Sequence, residues 1–140
     1  MPDGELMHLL QVPPTHIDQA WRDGASALGK SCETSGGEIT GDQLKMMLSR
    51  GERTLLAIMG ADRVGWGVIR VDQLPNLRVL HVCDMYAPGI PWPELWPELQ
   101  KLAKESGCSE IRCCAKPAQA RLYKSKCGFE SVYETLRFKL

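Results

Sequence analysis

The chain has 140 residues, with 17 basic and 17 acidic side chains and no net charge. That length suits one domain spanning residues 1–140, and 44% hydrophobic residues supply a core, which excludes wholesale disorder. Balanced charge argues against a nucleic-acid surface, and no window approaches the roughly 18 consecutive apolar residues of a membrane span. The N-terminal run places Asp3 and Glu5 where a secretory signal carries basic residues. A cytoplasmic protein is expected.

The elements follow in order. Glu5 to Val12 reads as a strand stopped by Pro13 and Pro14. Thr15 caps a helix running toward Leu28, weakened by Gly24, and Ser31 to Ile39 reads as a loop. Thr40 caps a second helix with Leu44, Met47 and Leu48 at helical spacing, ended by Gly51. Thr54–Met59, Val64–Val71 and Leu77–Tyr86 are strands joined by turns at 60–63 and 72–76, an antiparallel meander. Prolines break the pattern from Pro88 to Pro97, and a helix follows from Pro97 to Ser106. Glu110–Ala115 is a strand, Pro117–Lys126 a helix, and Phe129–Leu140 a final strand alternating at Val132, Leu136 and Phe138. The order is β-α-α-β-β-β-α-β-α-β. It describes an α/β mixed sheet in which the meander leads into a parallel pair of the fourth and fifth strands, with helices on both faces.

Six cysteines, at 32, 83, 108, 113, 114 and 127, contain no C-x-x-C pair, and the histidines at 8, 16 and 81 are scattered. No metal site is expected, and the thiols read as reduced, mostly buried small hydrophobes. Nucleophilic catalysis by cysteine is rejected, because no thiol has a helix N-terminus or effective basic cluster to lower its pKa.

The element order, together with the ending Ala120-Arg121-Leu122-Tyr123-Lys124-Ser125-Lys126-Cys127-Gly128-Phe129, resembles the GCN5-related N-acetyltransferase (GNAT) superfamily. Leu102–Cys108 followed by Glu110-Ile111-Arg112 resembles that family's third helix and fifth strand. The resemblance covers the chain in topology and the last forty or so residues in sequence. It implies acetyl-CoA held between the fourth and fifth strands, and acetyl transfer to an amine. By the same resemblance Tyr123 is the acid that protonates the leaving thiolate, and His81 or Asp84 the base on the fourth strand. Met85, Gly89 and Ile90 would lie on the cofactor.

Each of these residues also has a structural reading. Tyr123 stands five positions before Gly128, where the family has four, and its ring can simply pack beneath the sheet. A strand places His81 and Asp84 on opposite faces unless a bulge intervenes.

The segment Ala87-Pro88-Gly89-Ile90-Pro91-Trp92-Pro93 stands where the family has a glycine-rich diphosphate loop. Pro88, Pro91, Pro93 and Pro97 have no N–H, no Arg or Lys lies between Asp84 and Lys101, and Glu94 and Glu98 are acidic. Two functions follow. One is a non-catalytic binding or assembly protein, of the kind found among phage virion or assembly components, with no cofactor. The other is an acetyl-CoA-dependent N-acetyltransferase with an atypical diphosphate site. Trp92 and Trp96 are either a rigid connector covering the core or an aromatic surface for a protein partner. Lys116, Arg121, Lys124 and Lys126 read as a solvated basic face or an anion contact.

Overall fold

A computed structural model describes residues 7–60 and 62–140. A five-stranded sheet has the order β1 (His8–Val12), β2 (Thr54–Met59), β3 (Val64–Gln73), β4 (Arg78–Tyr86) and β5 (Glu110–Cys113). The first four are antiparallel in sequence order, and β5 joins β4 in parallel. Among the described residues no helix is long and apolar enough to cross a membrane.

β2 is a continuous apolar run because it is buried on both faces. Leu55 and Ala57, with Trp66 and Val68 of β3, point to one layer: α1 (Ile17–Arg22), α2 (Leu28–Glu33) and α3 (Gly41–Ser49). That layer contributes Ile17, Ala20, Leu28, Leu44 and Leu48. Leu56 and Ile58, with Ile69 and Leu80, point to α4 (Trp92–Glu105), which answers with Leu95, Leu99 and Ala103 one turn apart. α5 (Pro117–Cys127) follows β5 and buries no side chain.

The helix expected from Thr15 to Leu28 is broken. Short 3-10 turns at Pro14–His16 and Ala25–Ala27 flank α1, and Gly24 turns the chain at φ +129°, close under the Trp66 indole. The expected loop from Ser31 begins inside α2. α3 forms as expected, with a capping box in which Thr40 accepts from the Gln43 N–H and the Gln43 side chain accepts from the Thr40 N–H. β3 continues through Asp72 and Gln73, which the sequence assigns to a turn.

α4 starts at Trp92, five residues before the expected Pro97. Pro93 is tolerated there because first-turn N–H groups have no partner within a helix. Pro97 lies inside the helix and removes one bond, which the buried Leu95–Leu99–Ala103 stripe offsets.

The expected strand Phe129–Leu140 does not form: residues 128–140 have no regular secondary structure. The alternation is present, but a strand needs a ladder partner, and the adjoining β5 is only four residues long. Of the expected first strand, Glu5 and Leu6 lie outside the described residues, and the rest pairs from His8 onward.

Candidate active-site cleft

The register of β3 against β4 shifts in mid-strand: Val68 faces Asp84 and Ile69 faces Val82, so Cys83 is a bulge. The parallel ladder of β4 with β5 ends at Val82 opposite Cys113. β4 then runs on through Asp84, Met85 and Tyr86 with no β5 residue in register. The bulge therefore sits where the two parallel strands part.

It also decides which side chains meet. Leu80 and Val82 pack toward α4, so His81 and Cys83 face the α1–α3 layer. The extra residue at Cys83 brings Asp84 onto that same face. Its Oδ1 accepts from the Ser31 hydroxyl of α2 at 3.0 Å, and its Oδ2 lies 4.0 Å from Arg53. The Asp84 side chain is 11% exposed. His81 stands opposite Arg70 of β3 and Arg112 of β5. Burial, then Arg70, pushes its pKa below the ordinary 6.5, while Asp72 pulls the other way.

The same face carries a further ion pair. Arg70 donates to both carboxylate oxygens of Asp72, at 3.0 and 3.2 Å. Burial raises the pKa of Cys32, Cys83 and Cys113, which keeps these thiols protonated and unreactive. Among the described residues no group of three His, Cys, Asp or Glu could hold a metal ion.

Tyr123 lies elsewhere. Its ring stacks on Trp92 at 5.9 Å and contacts Phe129 at 5.8 Å, while Trp92 stacks on Trp96 at 5.8 Å and Trp96 meets Phe129 at 5.2 Å. Burial raises the Tyr123 pKa, followed by the influence of Cys113 and Cys127, so the phenol stays protonated. The Trp92 indole N–H donates to the Cys127 sulfur. Both tryptophans are half-buried, and this four-ring cluster ties the start of α4 to α5. The structure thus brings His81 and Asp84 to one face and places Tyr123 in the aromatic cluster between the two C-terminal helices.

At the mouth of α4, Gly89 has φ +75°, and a Cβ there would collide with the Arg63 guanidinium. Arg63 comes from the turn between β2 and β3 and supplies a cation that the segment Asp84–Lys101 lacks in sequence. Met85 packs over Gly67, and Ile90 over Gly65. Pro91 is the N-cap, Pro93 is the second helical residue, the Glu94 N–H bonds to Pro91 O and the Ile90 N–H to Ala87 O. Of the donors a helix start offers to an anion, this leaves the N–H of Trp92.

Sequence reasoning missed Ser31, Arg53, Arg63 and Arg112 at these places. Arg70, a charge in an otherwise apolar alternating strand, was the one visible signal.

No protein-family model and no curated protein matches the sequence. Solved structures do match along nearly the whole chain. An aminoglycoside acetyltransferase from an uncultured soil metagenomic sample is 13% identical, with TM-score 0.64 over 96% of this chain and 97% of that one. An aminoglycoside N-acetyltransferase in complex with CoA is 18% identical, with TM-score 0.61 over 100% and 98%. An acetyltransferase of Trypanosoma brucei is 14% identical, with TM-score 0.59 over 96% and 99%. At these identities the likeness is one of architecture: the chain has the α/β fold of the GNAT acetyltransferases.

Proposed function

We propose that this is a GNAT-fold binding protein that has given up acetyl-CoA chemistry. The observation that carries the reading is the aromatic cluster. Trp92 stacks on Tyr123 and bonds to Cys127, so α4 and α5 are joined alongside the stretch of β4 that leaves β5. A cofactor arm entering between these helices would have to break that stack. The mouth of α4 argues the same way. Two prolines remove first-turn donors, and Glu94 places a carboxylate where a diphosphate needs positive charge. The residues present do not fit a CoA diphosphate. Use as a phage virion or assembly component is one role open to such a protein, by analogy of fold alone.

Trp92 and Trp96 support the connector role over the partner surface, since their rings are occupied by Tyr123 and Phe129. Any partner of these two residues would meet only their outer edges.

A second reading, an acetyl-CoA-dependent N-acetyltransferase, is favoured by one arrangement. His81 and Asp84 share the face beside the open β4 edge, and Arg63 stands at Gly89. Isothermal titration with acetyl-CoA, and with desulfo-CoA as a control, separates the two. The binding-protein reading expects no heat at millimolar ligand. Micromolar binding overturns it and directs attention to Tyr123→Phe and a screen of amines. Trp92→Ala opens the stack and serves as a companion: binding by that variant alone identifies the indole as the obstacle.

A further inference from the structure

The ladders of β3, β4 and β5 set Arg70, His81 and Arg112 side by side in one row across three strands. The next row on the same face, two residues along each strand, is Asp72, Val79 and Glu110. The two rows interlock. Arg70 donates to Asp72 through its Nε, and Arg112 to Glu110 through its Nε at 2.9 Å. Each guanidinium is thus held by a carboxylate of its own strand along one edge, which leaves its pair of Nη groups as a second edge. Nη1 of Arg70 meets the Cys83 sulfur at 4.0 Å, and Tyr133 lies beside Arg112. Arg53, on the same face, is turned to Asp84. The Arg70 side chain is 38% exposed and that of Arg112 23%, so a ligand in solution reaches both.

Packing does not require this row. Like charges on neighbouring strands repel, and a guanidinium on each side of a half-buried imidazole works against the sheet. Asp72 and Glu110 offset the charge, but each occupies only the Nε edge. The Nη pair is the kind of planar fork that grips a carboxylate through two parallel bonds. We infer that this row is a binding site for a small dicarboxylate, one carboxylate on the Nη fork of Arg70, the other on that of Arg112, and the carbon chain between them lying across His81. The two arginine backbones are two strand spacings apart, about 10 Å, a separation that favours two anionic groups joined by a short chain over a single one. The His81 ring, kept neutral by burial and by Arg70, offers a hydrogen bond without adding charge. The inference names a ligand for the binding protein and rests on that reading.

Isothermal titration with adipate, without acetyl-CoA, tests it, and hexanoate and inorganic phosphate serve as single-anion controls. Adipate is expected to bind at least tenfold more tightly than either control. Arg70→Lys and Arg112→Lys should each lose at least tenfold in adipate affinity, since lysine keeps the charge but not the fork. No heat with millimolar adipate, controls that bind as well, or variants that bind like the wild type overturn the proposal. Nuclear magnetic resonance of the wild type supplies a readout independent of any variant. The chain has three histidines, and adipate should shift the ring nitrogens of His81 while those of His8 and His16 stay in place. Shifts at all three rings, or at none, overturn it equally. Because acetyl-CoA is absent throughout, such a failure removes the dicarboxylate site alone, and the binding-protein reading still stands or falls on the acetyl-CoA titration.

Discussion

His81 sits between Arg70 and Arg112 on a half-buried strand face, and both cationic neighbours and burial oppose its protonation. Its pKa is lower in the folded chain than the ordinary 6.5, so below pH 6.5 the unfolded state binds more protons. Stability is therefore full above pH 6.5 and falls as pH drops through the window beneath it, by at most about 1.4 kcal/mol per pH unit for one group. Urea unfolding at pH 5.5 and 7.5 checks this. The wild type should lose more stability on acidification than His81→Gln, and equal losses would show that the fold does not penalise the charged ring. The sequence made His81 and Asp84 visible but not their meeting. That depends on the bulge at Cys83, which no residue type announces, and on Ser31 and Arg53, which reach Asp84 from distant parts of the chain.

Two glycines hold the segment between β4 and α4 in place, for different reasons. Gly89 needs its positive φ, and its added Cβ would meet only a side-chain end, the exposed Arg63 guanidinium. Gly65 lies within β3, where a Cβ would come 2.9 Å from the Ala87 backbone and 3.0 Å from Ile90, so backbone must move. Gly89→Ala should cost about 1 kcal/mol, from conformational strain, and Gly65→Ala roughly 1–3 kcal/mol from overpacking. Chemical denaturation of both variants decides it; a larger loss at Gly89 would mean that the Arg63 contact outweighs the strand packing. Element types were largely legible in the sequence because periodicity and caps are local, as at Thr40 and Gly51. What escaped reading was set by neighbours. Gly24 breaks a helix beneath Trp66, Pro93 proves compatible with a first helical turn, and the segment after Phe129 keeps its alternation without a ladder.

Across the whole molecule, apolar burial is concentrated at the sheet centre and fades toward the C-terminus. The order of strands and helices was readable from the sequence because a meander followed by a helix and a further strand leaves few sheet arrangements. How little the last segment contributes to the core was not. Leu56 is fully buried against the α4 side, so Leu56→Ala should cost about 2–5 kcal/mol by leaving a cavity. Deleting 131–140 removes no buried side chain, and in dilute solution it should change unfolding free energy by no more than about 0.5 kcal/mol. Chemical denaturation of the truncated chain checks this, and a large loss would instead place the tail within the molecule's own core.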